Sequence, residues 1–146
     1  MDRKNFIKTC GFACVGGLSL AVLLPACSPS KILAAPIEGS DLVVSISEFE
    51  SLVNGEKQFR KYLVVQNERL QYPICIYRFG EGSYTALLMK CTHQGTELQV
   101  FGSKLQCPAH GSEFSNMGEV LNAPADKPLR TFPVTVQNLQ LKISLA

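Results

Sequence analysis

A chain of 146 residues fits one small domain and leaves no room for a second catalytic domain beside its core. Its 14 basic and 12 acidic residues are dispersed without a run or patch of one sign, which argues against nucleic acid as a partner. With His93 and His110 as its only two histidines, the chain has all its imidazole chemistry in one short region.

The N-terminus is basic, with Arg3, Lys4 and Lys8 against Asp2, and is followed by an apolar run over residues 12–24. As a helix that run spans about 20 Å, short of the roughly 30 Å of membrane hydrocarbon. It predicts an export signal over residues 1–26, with a helical N-terminal anchor as the alternative. Arg3-Lys4-Asn5-Phe6-Ile7-Lys8 resembles a twin-arginine signal with lysine as its second basic residue. Leu24-Pro25-Ala26-Cys27 resembles a bacterial lipobox, and cleavage after Leu33-Ala34-Ala35 competes with it. The lipobox resemblance implies lipidation of Cys27 and a protein held at the periplasmic face of a bacterial membrane. Several acyl chains on one residue give stable attachment where one chain is marginal. Removing residues 1–26 takes three of the 14 basic residues and one of the 12 acidic ones, which leaves the two counts equal.

Residues 27–40 include Pro29, Pro36 and Gly39 among small side chains and predict a tether. Residues 41–146 predict one domain of short apolar runs separated by turn signals. Leu42, Val44 and Ile46 alternate, and residues 62–66 form a second β-rich run after Asn54-Gly55. Residues 72–79 make a longer apolar strand closed by Gly80-Glu81-Gly82-Ser83, and residues 84–89 lead into Cys91. At the C-terminus Leu139, Leu141, Ile143 and Leu145 alternate with Gln140, Lys142 and Ser144, the pattern of a half-buried strand. No long segment has a helical period, so the fold class predicted is all-β.

Of the six cysteines, Cys10, Cys14 and Cys27 belong to the leader. The remaining three, Cys75, Cys91 and Cys107, are an odd number, which argues against an internal disulfide. Cys75 lies in the apolar run Ile74-Cys75-Ile76, where a buried free thiol is the ordinary expectation. Cys91 and Cys107 differ from it in their neighbours, Cys91-Thr92-His93 and Cys107-Pro108-Ala109-His110. Two thiolates and two imidazoles in two short loops form a four-donor metal site. Gly95 and Gly111 follow the histidines and allow tight turns with amide N–H groups close to whatever the loops enclose. Residues 97–100 and 104–106, around Phe101-Gly102-Ser103, predict a hairpin that brings the loops to one end of the domain.

The strings CTHQGTEL (residues 91–98) and CPAHGSEF (residues 107–114) resemble the two cluster-binding loops of the Rieske iron–sulfur family, in order and beyond the ligands. The resemblance implies a Rieske fold, an antiparallel sheet sandwich carrying a small cluster-binding subdomain over about residues 89–121. It implies a [2Fe–2S] cofactor with Cys91 and Cys107 on one iron and His93 and His110 on the other, serving one-electron transfer. Two ferric ions, two sulfides and two thiolates cancel, so the oxidised cluster is neutral, whereas a four-thiolate cluster is already anionic. An electron adds more easily to the neutral centre, and His-ligated potentials run from roughly −150 to +300 mV against about −400 mV for plant-type ferredoxins.

By the same resemblance, Ser112 stands where high-potential members aim a hydroxyl at a bridging sulfide. Phe114 stands where they carry a tyrosine that bonds a ligand sulfur, and Thr96 and Ala109 occupy the places of two cysteines that join the loops in quinol:cytochrome complexes. One potential-raising feature is kept and one is lost, which implies an intermediate potential tuned by Ser112, Phe114, Gly95 and Gly111. Family histidines present their outer nitrogen to solvent, which implies coupling of electron transfer to proton release at His93 and His110. Residues 122–129 resemble the family's proline-containing segment bordering the cluster, with an ordinary connecting loop as the alternative.

Structural zinc on the same Cys₂His₂ set is the alternative function. Zinc needs neither Ser112 nor a glycine near each histidine. A ring-hydroxylating oxygenase needs two further histidines for its mononuclear iron, and hydrolases need a free imidazole base, so both are excluded. The partners implied are redox proteins, with quinol or the large subunit of a molybdenum oxidoreductase as candidates, and a membrane surface.

Overall fold

The computed structural model describes residues 32–146. In chain order its strands are β1 (Ile32–Ala34), β2 (Ile37–Glu38), β3 (Asp41–Ser45), β4 (Glu50–Val53), β5 (Glu56–Phe59), β6 (Tyr62–Gln66), β7 (Ile74–Gly80) and β8 (Ser83–Leu88). They continue as β9 (Gln99–Phe101), β10 (Lys104–Gln106), β11 (Glu113–Ser115), β12 (Val120–Asn122), β13 (Thr131–Phe132), β14 (Val134–Gln137) and β15 (Gln140–Ser144). A single short 3-10 helix, Ile46–Phe49, lies between β3 and β4 among the described residues. The fold is all-β, with every strand pair antiparallel except β1 with β6.

A five-stranded sheet, β1-β6-β7-β8-β13, is the centre of the domain. Successive side chains of a strand point to opposite faces, and here both faces are covered. Leu63 and Val65 of β6, Ile74 and Ile76 of β7 and Ala86 of β8 join one core. Leu42 and Val44 of β3 and Leu141 and Ile143 of β15 close that core from the sheet β14-β15-β3-β2. The alternate residues Val64, Cys75, Tyr77 and Leu87 join a second core on the other face. Burial on both sides explains why Ile74-Cys75-Ile76-Tyr77 reads as a continuous apolar run rather than an alternation.

The second core is closed by a small sheet, β12-β11-β10-β9, which contributes Leu105 and Phe114. Leu105 pairs with Phe114 on one side and Val100 on the other. The two-residue turn Gly102-Ser103 joins β9 to β10, with Gly102 at φ 60° as the first central residue. The expected hairpin is therefore present, and the subdomain sits on the face of the central sheet that carries Cys75. Full burial of a side chain the size of Phe114 stabilises the domain by roughly 1.5–3 kcal/mol, and this packing fixes the base on which the two Cys/His loops stand.

From residue 32 on, the segment expected as a tether carries two short strands. β1 adds to the edge of the central sheet beside β6, and β2 pairs with β3. Ala35 between them is buried, its carbonyl accepting from Asn67 Nδ2 at 2.8 Å and its amide donating to the Gln66 carbonyl at 3.2 Å. Strands of two and three residues are too short to carry a period, so only their pairing reveals them. The export signal expected over residues 1–26 and the lipidation expected at Cys27 lie outside the described residues. Among the described residues no helix is long and apolar enough to cross a membrane.

Candidate metal centre

Two six-residue loops with the same internal frame rise from the ends of neighbouring strand pairs. The first, residues 91–96, stands on a bridge between Lys90 and Glu97. The second, residues 107–112, stands on the β10–β11 pair Gln106↔Glu113. In the first, the Cys91 amide donates to the Thr96 carbonyl and the Gly95 amide to the Cys91 carbonyl, both at 2.8 Å. In the second, the Cys107 amide donates to the Ser112 carbonyl at 2.8 Å and the Gly111 amide to the Cys107 carbonyl at 3.0 Å. Gly95 and Gly111 close the two loops at φ 76° and 78°, backbone that side chains with a Cβ adopt only at a cost. The pattern Cys, then Gly four residues later, then a hydroxyl residue, is the sequence trace of this shared frame.

The frames set the four donors at two depths. Cys91 and Cys107 are 1% and 2% exposed, inside the second core, while His93 and His110 are exposed. The two imidazoles meet edge to face, ring centroids 5.1 Å apart. Burial raises the pKa of Cys107, but hydrogen bonds from the backbone of Ala109 and His110 and from the side chains of Cys91 and Thr96 outweigh it. The net effect holds this thiol below its usual value. Cys75 takes the opposite course: burial pushes its pKa up to about 12, with a hydrogen bond to Tyr77 the smaller, opposing influence. All three cysteines of the domain are free. Cys75 is the inert buried thiol expected of it, although it faces the same core as Cys91 and Cys107.

Ser112 is fully buried, and its Oγ accepts a hydrogen bond from the Ala125 amide at 3.0 Å. Its hydroxyl hydrogen is left for a second partner. Phe114, two residues on, is fully buried against the cysteines, with Leu105 as its cross-strand neighbour. Lys104 Nζ and Gln106 Nε2 both donate to Glu113 Oε1, at 2.7 and 3.2 Å, across the base of the second loop.

Residues 122–129 border both loops rather than merely connecting strands. The Asn122 side chain donates to the Gly111 carbonyl at 3.0 Å, and the Thr92 hydroxyl donates to the Lys127 carbonyl at 2.7 Å. Gly118 packs under this segment, where a Cβ would meet Leu87 Cδ2 at 3.1 Å. Beside His93 a shallow groove is lined by Leu88, Lys90, Gln94 and Lys127. The roles of Thr92 and Asn122 were not legible in the sequence, because each acts through one hydrogen bond to a distant part of the chain.

The donor set, two buried thiols and two exposed imidazoles with a buried hydroxyl beside them, fits a binuclear cluster. Among the described residues, no three Cys, His, Asp or Glu side chains converge as ligands of a single ion would.

The comparisons with known proteins agree. Residues 49–133 match the family model of the Rieske [2Fe-2S] domain. The chain is 30% identical to the cytochrome b6-f complex iron-sulfur subunit of Synechococcus sp. (strain CC9605), over 99% of this chain and 85% of that one. It is 29% identical to the same subunit of Trichodesmium erythraeum (strain IMS101), over 97% and 83%. Among solved structures, it resembles the cyanobacterial plasma membrane Rieske protein PetC3 from Synechocystis PCC 6803, at 21% identity and a TM-score of 0.47, over 72% of this chain and 86% of that one. The match extends from the core of the base domain through both loops to β13, so this chain belongs to the Rieske [2Fe–2S] family, whose domain binds a [2Fe–2S] cluster and transfers electrons.

Proposed function

We propose that Cys91 and Cys107 hold one iron of the cluster and His93 and His110 the other, and that the protein carries single electrons at the outer face of a bacterial membrane. The observation that supports this most directly is the pair of congruent loops, which bury both thiols and leave both imidazoles at the surface. When bound, the cluster supplies a reversible one-electron couple.

The chain's own residues tune and expose that couple. Ser112 has a hydroxyl hydrogen to donate, its oxygen being already engaged by Ala125. Phe114 offers none. The balance is an intermediate potential within the His-ligated range. His93 and His110 form the face through which a partner approaches. Zinc is the weaker reading, since one ion would draw all four donors to a single point.

The curated relatives are named as subunits of cytochrome b6-f complexes, which favours a membrane-bound redox complex as the setting and a quinol as the candidate donor. Thr96 and Ala109, in place of the two loop cysteines, separate this chain from the disulfide-bearing type. Lipidation at Cys27 provides the attachment. Iron and acid-labile sulfide analysis of the purified protein tests the reading: two of each per chain and a brown colour that bleaches on reduction support it. A colourless protein with one zinc per chain defeats it.

A further inference from the structure

The groove beside His93 carries charge of one sign. Lys90 stands at the foot of the first loop and Lys127 on the segment that borders it, and both are exposed. The other nitrogen- and oxygen-bearing side chains lining it are Thr92, His93 and Gln94, so no carboxylate faces it. Glu97 lies opposite Lys90 across their bridge, yet the two form no ion pair. Lys90 turns instead across Gly95, where a Cβ would meet its Cε at 3.3 Å, and sets its Nζ 5.3 Å from the centre of the Tyr72 ring. A cation over an aromatic face is held in place without being neutralised. Among the described residues the ion pairs are Lys57–Glu50 and Lys104–Glu113, so Lys127 has no acidic partner either, although Asp126 precedes it.

We propose that this groove is the docking surface for an acidic electron-transfer partner, a protein that presents carboxylates around its own redox centre. The inference rests on the ligand set proposed above and goes on to name the charge of the partner. Charges at the rim of an interface steer the encounter and set its salt dependence more than its affinity. A shallow groove suits that use, because a small contact is brief and frees the carrier after one electron has passed. Carboxylates that meet Lys90 and Lys127 bring the partner's redox centre against the exposed His93 imidazole. On the side of the second loop Lys104 is tied to Glu113 at 2.7 Å and offers no comparable free charge. The approach is one-sided, over the first loop.

The test uses the full, cluster-loaded chain, reduced and mixed by stopped flow with ferricyanide or with tris(phenanthroline)cobalt(III), each of which takes one electron. Wild type is compared with Lys90→Gln, Lys127→Gln, the double variant, Lys90→Arg and, on the sheet that closes the other core, Lys142→Gln. At low salt Lys90→Gln and Lys127→Gln are each oxidised by the anion about threefold more slowly, as expected for one unit charge acting on a trivalent anion roughly 10 Å away through water. Oxidation by the cation becomes faster, rising salt removes both effects, and Lys90→Arg and Lys142→Gln behave as wild type. Polyglutamate, standing for an acidic protein surface, slows oxidation of wild type by ferricyanide and leaves the double variant unaffected. Reduced-state EPR and midpoint potential are recorded for each protein. An altered potential or a damaged loop shifts both oxidants in one direction, whereas a docking charge shifts them in opposite directions. Rates that move together, an equal effect in Lys142→Gln, or polyglutamate that slows the double variant as much as wild type overturn the docking surface. A wild type lacking the mixed-ligand EPR signal defeats the ligand assignment and the docking surface together, whereas one that has it and prefers neither oxidant's charge defeats the docking surface alone.

Discussion

The imidazoles of His93 and His110 meet edge to face at 5.1 Å, although one follows its cysteine by two residues and the other by three. The hydrogen-bonded frame of the two loops is the same, so the different spacing places the rings side by side rather than in equivalent positions. Exchanging an exposed imidazole for a thiolate adds a negative charge to the site. His110→Cys that retains a cluster therefore has a lower midpoint potential, shifted by on the order of a few hundred millivolts toward the all-thiolate value. Redox titration checks this, and an unchanged potential removes His110 from the ligand set.

Ser112 and Phe114 act on the potential in opposite senses. Ser112→Ala takes away a buried donor, and loss of a hydrogen bond to a charged acceptor, about 1.5 kcal/mol, lowers the potential by roughly 60 mV. Phe114→Tyr adds a hydroxyl at a fully buried position beside the cysteines and raises the potential. A fall, or no shift, contradicts the assignment of that position.

Gly95→Ala and Gly111→Ala each force a Cβ into left-handed backbone, at about 1–2 kcal/mol. At Gly111 nothing lies within 4 Å of the new atom, whereas at Gly95 it meets Lys90 Cε at 3.3 Å. Gly95→Ala is the more destabilising of the two in denaturant unfolding of the loaded protein. The reverse order would show that the approach of Lys90 does not set the difference between them.

Cys75 has its pKa raised by burial from 9.0 to about 12. The folded state then keeps its proton where the unfolded state releases it. The contribution is fully present below about pH 9 and is lost as the pH rises toward 12. Cys75→Ala flattens the loss of stability over that alkaline window. In native protein at neutral pH an alkylating reagent leaves Cys75 unlabelled, and labelling appears on unfolding. Rapid labelling of the native protein contradicts the burial that sets its pKa.

Much of this was legible in the residues. β6 matched its predicted bounds, and β7, β8 and β15 fell within a residue or two of the predicted runs. The hairpin between the loops followed from Phe101-Gly102-Ser103. Ile46 was read as continuing the strand of Leu42 and Val44, but the chain turns there into a 3-10 helix, with the Ile46 amide donating to the Leu139 carbonyl at 3.0 Å. The β4–β5 hairpin was only half visible: Asn54-Gly55 announced its turn, but Glu56-Lys57-Gln58 have no apolar face to reveal a strand. β1 and β2 were taken for a tether because two- and three-residue strands are specified by their partners, not by their own pattern. Cys91, His93, Cys107 and His110 stood out because their motif repeats. Thr92 and Asn122 did not, because their bonds reach 35 and 11 residues along the chain.

Pulsed EPR of the reduced protein at low temperature tests the asymmetric ligand set most directly. The predicted result is a half-spin cluster signal coupled to nitrogens of two imidazoles, with His93→Ala and His110→Ala each abolishing that signal. A reduced protein with no paramagnetic signal, or a cluster signal without imidazole nitrogen coupling, contradicts it.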